Sequence, residues 1–412
     1  MASSILSPTD KADDDANLNR SGVKRVEHIQ DAKVRSEPET CPHGGRVYDT
    51  VGQDFSRLDA LDEVVAADVL DAWYPPAPRV LEQLSGNLAW SARTSPPVHA
   101  DGLREVIAKS RGVETSQIIL GCGSSDLIFR VVPKFLSGAG PIVIPQPSYA
   151  EYRHVLTNLH GRQVTPFFTD ANDFVLQVDA LVEFAKSVQA SAICIVNPCN
   201  PTGFSLQKEQ MLELLDGIGD MKIVVDETYI DYIGKEHSVE PLVEEYSNLM
   251  VLKSVSKFYA LSGMRIGYAV TSAKRAKRFQ LETPPYIVST PGQMAAIAAF
   301  ESEPYYLEKV EETHRLRESL SARLNELPGL RVMPSNINCI LLDLKETGWT
   351  AAEFWSELQD RKLLCRDIGH QGLSDETRYV RLSVLNADKN ETMVTMINDM
   401  VSNKVYNAFP HM

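Results

Sequence analysis

The stretch that decides the fold is Val251-Leu-Lys-Ser-Val-Ser-Lys-Phe-Tyr-Ala-Leu-Ser-Gly-Met-Arg-Ile-Gly-Tyr268. It places Lys257 beside the hydroxyls of Ser254 and Ser256, with Arg265 following between two glycines. A lysine amine can condense with an aldehyde, while hydroxyls and a guanidinium bind phosphate oxygens through charge-assisted hydrogen bonds. The stretch therefore suits an aldehyde that carries a phosphate, and pyridoxal 5'-phosphate (PLP) is the obvious candidate.

An acidic residue upstream suits the same ligand. The run Ile223-Val-Val-Asp-Glu-Thr-Tyr229 is predicted to be a buried strand that delivers Asp226 and Tyr229 at its C-terminal end. Open α/β sheets bind ligands at that end of their strands. PLP needs a carboxylate at its pyridine nitrogen, because the protonated ring accepts electrons. A helix cap is the alternative interpretation of Asp226.

A third element precedes these two. The apolar run Ser191-Ala-Ile-Cys-Ile-Val196 predicts another strand, and Asn197-Pro-Cys-Asn-Pro-Thr-Gly203 follows it directly. The prolines and the glycine of the second motif predict a rigid turn. Such a turn presents the amide of Asn200 at a defined angle.

In this order and spacing, the motifs resemble those of fold-type-I PLP-dependent enzymes of the class I/II aminotransferase group. Within that group the chain is most similar to histidinol-phosphate aminotransferases and threonine-phosphate decarboxylases. The resemblance implies an α/β fold, with a large domain whose mainly parallel seven-stranded sheet is sandwiched by helices. It also implies a smaller α+β C-terminal domain and a homodimer with the site at the subunit interface.

The resemblance implies a role for each residue around the cofactor ring. Lys257 forms the Schiff base with the aldehyde and shuttles the proton, while Asp226 pairs with the pyridine nitrogen. Asn200 and Tyr229 bind the phenolic oxygen. Tyr149, in Pro147-Ser-Tyr-Ala-Glu-Tyr152, matches the aromatic residue that stacks on the ring.

The phosphate group has its own set of expected contacts. Gly121-Cys-Gly-Ser-Ser-Asp-Leu-Ile-Phe129 resembles the glycine-rich turn that opens a helix under the phosphate. Helix N-terminal amides and the helix dipole favour an anion there, which agrees with the resemblance. Ser124 and Ser125 are therefore expected to bind the phosphate together with the two serines and the arginine of the first stretch.

Two residues are expected to bind the substrate. Arg381, in Tyr379-Val-Arg-Leu-Ser383, matches the arginine that binds the α-carboxylate through a bidentate fork. His43, in Cys41-Pro-His-Gly-Gly45, resembles the His-Gly-Gly near the start of threonine-phosphate decarboxylases. A flexible turn with an exposed histidine is the alternative interpretation of this motif.

The chain departs from the family pattern at two places. Many relatives carry an Arg-Tyr-Pro segment whose tyrosine reaches the partner subunit's cofactor phosphate, whereas this chain has Ala92-Arg-Thr-Ser-Pro-Pro97. Arg93 and Thr94 are the candidate substitutes. The family's Asn-rich segment is replaced by Asp68-Val-Leu-Asp-Ala-Trp-Tyr-Pro75, which indicates a substrate pocket unlike that of a histidine-biosynthesis enzyme.

Composition narrows the partners of the chain. A formal net charge of -14 over 412 residues argues against nucleic acid or an anionic membrane as a partner. No stretch approaches the ~20 apolar residues of a membrane span, and the N-terminus has neither a basic leader nor an apolar core. Six cysteines without metal-ligand spacing indicate free thiols and no metal site. We therefore expect a cytoplasmic enzyme with a small-molecule substrate.

The chain divides into four predicted parts. Residues 1–40 are polar and charged, which is typical of a disordered or loosely docked arm. Residues 41–75 form a segment expected to pack on the small domain and on the dimer partner. The large PLP-binding domain is predicted over 76–303, and the small domain over 304–412, starting with a long helix near Pro304.

These observations predict a PLP-dependent aminotransferase that acts on an amino acid or a similar anionic substrate. A PLP-dependent decarboxylase of a phosphorylated or otherwise anionic amino acid is the alternative, because both reactions use the same residues. A PLP-binding regulator without turnover is a third class. Its members carry a fused DNA-binding module, and the first ~60 residues are too short and too acidic for one.

Overall fold

Short apolar runs supply the strands of the structure, a computed structural model that describes residues 41–373 and 378–408. The strands are β1 (Val65–Ala66), β2 (Ile118–Gly121), β3 (Ile142–Gln146), β4 (Val164–Phe168), β5 (Ala192–Val196), β6 (Lys222–Asp226), β7 (Leu249–Ser254), β8 (Gly267–Thr271), β9 (Arg331–Met333), β10 (Cys339–Asp343), β11 (Leu363–Leu364), β12 (Arg366–Asp367) and β13 (Tyr379–Ser383).

Helices alternate with these strands along the chain. They are α1 (Val47–Val51), α2 (Pro78–Arg93), α3 (Asp101–Arg111), α4 (Gly123–Arg130), α5 (Val132–Phe135), α6 (Ala150–Arg153), α7 (Val178–Ser187), α8 (Lys208–Ile218), α9 (Ala273–Leu281), α10 (Thr290–Phe300), α11 (Glu303–Asn325), α12 (Ala351–Asp360) and α13 (Ala387–Ala408). Helix α11 is the long helix expected near Pro304, and it begins one residue earlier.

The central sheet has seven strands in the order β2-β8-β7-β6-β5-β3-β4. All neighbouring strands are parallel except where β8 pairs with β7 and β2, so the predicted mainly parallel seven-stranded sheet is confirmed. Edge strand β4 has no counterpart among the apolar runs of the sequence. It is half-exposed and carries Pro166, a residue that sheets tolerate at an edge.

Both faces of the central sheet are buried, which explains why its strands are apolar at consecutive positions. Ile193 and Ile195 pack on one face with residues of helices α3, α7, α8 and α10. Cys194 packs on the other face with residues of α4, α5 and α9. Successive strand residues point to opposite faces, so each strand serves both layers.

The C-terminal part forms a smaller layer of its own. Strands β12-β13-β10-β9 form an antiparallel sheet in that order, and helices α11, α12 and α13 share a separate apolar core with it. Strand β1 pairs in parallel with β11 through Val65 and Leu363, which ties the N-terminal segment to this layer. The large domain and the smaller C-terminal domain agree with the predicted fold class.

Three strands bring the motifs of the sequence together. The C-terminal ends of β5, β6 and β7 lie side by side. Asn197 follows β5 directly, while Asp226 and Ser254 are the last residues of β6 and β7. The predicted arm over 1–40 lies outside the described residues, and the predicted domain boundaries stay a prediction. Within the described part of the chain, every helix is too short or too polar to span a membrane.

Candidate active site

One cavity of about 210 Å³ is lined by the twelve residues that the sequence assigns to the cofactor or the substrate. It opens between the carboxyl ends of the central strands and strand β13 of the smaller layer. The twelve are His43, Ser124, Ser125, Tyr149, Asn200, Asp226, Tyr229, Ser254, Ser256, Lys257, Arg265 and Arg381. Their placement agrees with the sequence motifs, while their chemical roles remain predictions.

The floor of the cavity is a cup built from the first turn of α4 and from Arg265. Gly123 has a φ of 81°, and a Cβ there would lie 2.4 Å from Nη2 of Arg265. A Cβ at Gly267 would lie 2.5 Å from the amide nitrogen of Ser124. Both glycines are therefore needed for the close approach of helix, strand and guanidinium. Backbone amides, hydroxyls and a guanidinium line this cup, which fits a phosphate group.

Asp226 ends strand β6 in the depth of the cavity and is only 4% exposed. Oδ2 accepts a hydrogen bond from the Tyr152 hydroxyl at 2.6 Å, and Oδ1 accepts one from the Thr228 amide at 2.9 Å. Burial raises the pKa of the Asp226 carboxyl, although these two hydrogen bonds oppose the shift. A buried carboxylate with this environment fits a cationic partner such as a protonated pyridine nitrogen.

The Asn-Pro motif forms the predicted turn after β5. Asn197 locks it, because its side-chain amide donates to the carbonyl of Leu206 at 3.1 Å and its Oδ1 accepts from the Leu206 amide at 2.7 Å. Gly203 has a φ of 74°, and a Cβ there would lie 2.0 Å from Oγ of Ser335. The turn holds Asn200 rigidly at the cavity wall, as the sequence predicts.

Arg381 projects from β13 into the cavity and is 4% exposed. Nη1 donates to Oδ1 of Asn200 at 2.6 Å, and Nη2 donates to the carbonyl of Asp68 at 2.9 Å. Within the described residues, its Nε has no hydrogen-bond partner although it is buried. The prediction that this strand arginine faces a ligand agrees with its position, because a solvent-facing arginine would be exposed.

Tyr229 lies in the turn just beyond β6, since the strand ends at Asp226 and not at the tyrosine. Tyr149 precedes helix α6 and packs edge-to-face against Tyr152, with ring centroids 6.3 Å apart. Both tyrosines line the cavity near Asp226.

Lys257 follows β7, and its Nζ lies 2.9 Å from Oδ1 of Asp71.

The His-Gly-Gly motif forms part of the cavity wall. Nε2 of His43 lies 3.1 Å from Oε1 of Glu151, a buried carboxylate. A Cβ at Gly44 would lie 2.7 Å from the carbonyl oxygen of Asp68, so only glycine permits this packing. The His43 side chain itself is 51% exposed, as the alternative interpretation of the motif expects, and its role in substrate binding stays a prediction.

Among the cavity residues that the sequence did not assign, three have charged or amide side chains, namely Asp68, Arg366 and Gln371. Arg366 in β12 is the direct Cα partner of Arg381 in β13. Burial and the Arg381 guanidinium lower the pKa of Arg366, and the Asp68 carboxylate opposes them. The strand register that pairs the arginines has no local sequence signal. Asp68 did have a local sequence signal, because it is the first residue of a segment that departs from the family's pattern.

The other segment that departs from the family's pattern, residues 92–97, lies on the far side of Arg265. Thr94 lines a second groove together with Arg265, Tyr286 and Thr290, and its carbonyl accepts a hydrogen bond from the Thr290 hydroxyl at 2.7 Å. Arg93 ends helix α2 and is exposed. Of the two candidate substitutes, Thr94 is thus the one that borders the phosphate cup from outside.

Comparison with known proteins gives the family. The model of the family "Aminotransferase class I and II" matches residues 71–397, so the chain belongs to this family. Histidinol-phosphate aminotransferase from Methanosphaera stadtmanae is 28% identical over 309 residues, which cover 75% of this chain and 83% of the relative.

Two solved structures are also similar to the chain. Histidinol-phosphate aminotransferase from Sinorhizobium meliloti, in complex with pyridoxal-5'-phosphate, has a TM-score of 0.76 at 19% identity; the match covers 88% of this chain and 96% of that one. L-threonine-O-3-phosphate decarboxylase from Porphyromonas gingivalis has a TM-score of 0.71 at 23% identity, covering 82% of this chain and 100% of that one.

Family membership confirms several predictions from the sequence. The fold class, the class of enzyme (a PLP-dependent aminotransferase) and the PLP cofactor agree with it. The residues of the cavity fit that cofactor: the cup suits its phosphate and Asp226 suits its ring nitrogen. No group of three or more potential metal ligands occurs in the described ranges.

Proposed function

We propose that this aminotransferase acts on an α-amino acid whose side chain carries a second anionic group, such as a phosphate. The observation that carries the proposal is the pairing of Arg366 with Arg381 on neighbouring strands. Like charges directly opposite in a sheet are destabilising, and an anionic ligand between them removes the repulsion. The histidinol-phosphate aminotransferases among its relatives are named for a phosphorylated amine.

The residues of the cavity divide into a cofactor set and a substrate set in this proposal. Ser124, Ser125, Ser254, Ser256 and Arg265 hold the phosphate of PLP. Around the ring, Asp226 pairs with the pyridine nitrogen, and Tyr149 stacks on the face. Asn200 and Tyr229 bind the phenolic oxygen.

Arg381 is prepared for an α-carboxylate. Its Nη1 and Nη2 are already held by Asn200 and by the carbonyl of Asp68, so the guanidinium plane is fixed before a substrate arrives. The remaining N–H groups, including buried Nε, are the donors for the carboxylate. Arg366 binds the second anion beside it, and His43 lies on the same wall of the cavity.

When bound, PLP supplies an electron-accepting ring that stabilises negative charge at the substrate's α-carbon. Lys257 is the catalytic base and acid in our proposal: its Nζ accepts the α-proton and later returns a proton. The Asp226 carboxylate keeps the ring nitrogen protonated. The neighbouring Tyr152 hydroxyl orients that carboxylate through its short hydrogen bond.

We further propose that the protein is a homodimer and works in the cytoplasm. The groove that contains Thr94 and Tyr286 opens next to Arg265, where a second copy would border the phosphate cup. Tyr286 is 51% exposed in the single chain, as expected for a residue that a partner covers. The acidic composition and scattered cysteines of the sequence support a reducing, non-membrane compartment.

A single-turnover experiment tests the proposed reaction. The PLP-loaded protein, with its visible band at about 410–430 nm, is mixed with amino acids and phospho-amino acids. Transamination converts the cofactor to its amino form and abolishes the band without releasing carbon dioxide. Lys257→Ala protein should lack the band, and Lys274→Ala, which changes an exposed lysine, should retain it. A panel in which no amino acid bleaches the wild-type band contradicts the proposal.

An α-decarboxylase is the second candidate. The observation that favours it is the position of His43 and Gly44 in the cavity wall, because they belong to the motif that resembles threonine-phosphate decarboxylases. The same experiment separates the two reactions, because decarboxylation releases carbon dioxide while the visible band of the cofactor returns after each turnover.

A further inference from the structure

Asp68 is a buried carboxylate in the cavity wall to which the proposed reaction gives no role. It is only 2% exposed. Oδ2 accepts hydrogen bonds from the amides of Gly45 at 2.7 Å and Arg46 at 3.1 Å. Its second oxygen, Oδ1, is shielded from solvent and has no hydrogen-bond partner in the described part of the chain. A buried acceptor without a partner is costly, and a ligand that donates to it is a physical reason for its presence.

Capping of helix α1 explains only one of the two carboxylate oxygens of Asp68. The amides of Gly45 and Arg46, at the start of that helix, bind Oδ2 alone. An asparagine oxygen caps a helix as well as an aspartate oxygen does. The nearby Arg366 guanidinium offsets the charge of Asp68, but the unpartnered Oδ1 still needs an explanation.

The groups around Asp68 are suited to binding the side chain of a substrate. Its own carbonyl accepts from Nη2 of Arg381, which holds the α-carboxylate in the proposed function, and its carboxylate acts on the nearby Arg366. Gln371 supplies a second acceptor to the same cavity: its Oε1 is buried and lacks a partner among the described residues. This wall offers acceptors beside two guanidinium groups, so it suits a ligand that carries both an anion and hydrogen-bond donors.

We propose that Asp68 determines substrate specificity by accepting, at Oδ1, a hydrogen bond from an N–H or O–H group of the substrate's side chain. The inference rests on the proposed function, because Arg381 must hold the α-carboxylate for the side chain to reach Asp68. The substrate class is then an α-amino acid with a side-chain donor, such as an amide, a hydroxyl or an imidazole N–H, in addition to the anion that Arg366 binds.

Two substitutions separate this role from helix capping. Asp68→Asn keeps an oxygen for the amides of Gly45 and Arg46 but replaces the charged acceptor by a neutral amide. Asp68→Leu keeps the approximate shape and removes both acceptors. Asp49→Asn removes a charge from exposed Asp49 on helix α1 and serves as the matched control.

The probes are two pairs of neutral amino acids of similar shape, asparagine with leucine and glutamine with methionine. Only one member of each pair carries an N–H donor, and the general effect of removing a negative charge cancels within a pair. The readout is the rate at which each probe bleaches the visible band of the PLP-loaded protein. We expect wild-type protein to favour asparagine and glutamine. The preference should fall about tenfold in Asp68→Asn, because a charge-assisted bond becomes neutral, and further in Asp68→Leu.

The outcomes distinguish this inference from the proposed function. If both members of each pair slow equally in the Asp68 variants, Asp68 is only a cap and the inference is wrong while the function stands. A wild-type preference for leucine and methionine also overturns it. If no amino acid or phospho-amino acid bleaches the wild-type band, the proposed function is wrong, and so is this inference, which depends on it. Asp49→Asn should leave both ratios at their wild-type values.

Discussion

Nζ of Lys257 lies 2.9 Å from Oδ1 of Asp71, a residue 186 positions earlier in the chain. The same carboxylate oxygen accepts the hydroxyl of Ser262 at 2.6 Å. Burial alone raises the pKa of the Asp71 carboxyl, but the Lys257 ammonium, the Ser262 hydroxyl and the Arg265 guanidinium outweigh it, so its pKa lies below the usual value. The amine expected to react with the cofactor thus forms an ion pair with the Asp71 carboxylate.

Removing this counter-ion should speed the capture of PLP. The amine must leave its ion pair with Asp71 before it condenses with the aldehyde, and Asp71→Asn removes the charged partner that holds it there. We expect the visible band to appear severalfold faster at neutral pH when PLP is added to the variant. Asp71 is half-exposed, so the effect on the free energy of unfolding should stay within about 1 kcal/mol. An unchanged or slower capture rate would show that the pair does not control the amine.

Asp226→Asn should separate cofactor binding from catalysis. The amide retains the shape of the carboxylate but cannot keep the ring nitrogen protonated, so turnover should fall at least about a hundredfold. The phosphate cup is unchanged, so bound PLP should remain detectable by absorbance. Tyr152→Phe removes only one hydrogen bond to Asp226 and should cost about tenfold or less. Activity of Asp226→Asn within about tenfold of wild type would make Asp226 a structural cap.

The motifs at the C-terminal ends of the central strands were predictable from the sequence, because each is encoded by residues close together in the chain. A strand followed by an acid or by a proline-rich turn predicts both the element and the end at which its polar residue lies, as Asp226 and Asn200 illustrate. Gly123 likewise belongs to the glycine-rich turn that the sequence predicts at the start of a helix, and the structure shows a close approach there.

The residues that the sequence did not predict depend on long-range register. Arg366 faces the cavity only because β12 pairs with β13, and Asp71 meets Lys257 across the fold. Asp68 lies two residues beyond β1, a short strand whose partner, β11, is almost 300 residues away along the chain. No periodicity within one segment encodes such contacts, so composition and spacing could not reveal this wall of the cavity.

Arg381→Ala should weaken the binding of every amino acid. Losing a bidentate ion pair is worth roughly 2–5 kcal/mol, or about 30-fold to several thousand-fold in kcat/KM. Because Arg381 also donates to Asn200 at 2.6 Å, we expect a shift of the visible band in addition. Arg315→Ala, which changes an exposed arginine of α11, is the control. A variant with normal kcat/KM and an unshifted band would show that Arg381 neither binds the α-carboxylate nor acts on the cofactor through Asn200.

Gly44→Ala should displace the His43 segment from the cavity. Its new methyl group would lie 2.7 Å from the carbonyl of Asp68 and 2.8 Å from Cγ2 of Val69, so the backbone must move. We expect Gly44→Ala and His43→Ala to reduce kcat/KM for phospho-amino acids more than for unphosphorylated ones. Gly86→Ala, on an open helix surface, should leave activity unchanged and stabilise the fold slightly. Equal effects on both substrate types would make His43 a structural residue.

A buried ion network beneath the site should govern acid stability. Arg111 donates to Asp231 at 2.5 Å and to Glu240 at 2.8 Å, and Lys253 lies 3.8 Å from Asp231. Burial alone raises the pKa of the Asp231 carboxyl, but Arg111 and Lys253 outweigh it, so the folded-state pKa lies below its ordinary 3.8. A carboxyl of this kind stabilises the fold above its ordinary pKa, and this stabilisation is lost as pH falls through the folded value.

Asp231→Asn should therefore lower the free energy of unfolding by about 3 kcal/mol at pH 7, since a buried guanidinium loses a charged partner. The difference from wild type should be the same at pH 5, where the carboxyl is still ionised, and should shrink as the pH falls below about 4. Urea denaturation at each pH measures it, with Asp62→Asn, an exposed carboxyl, as the control. A difference that stays constant down to the lowest pH at which the protein folds would mean that packing, and not the charge of Asp231, stabilises this network.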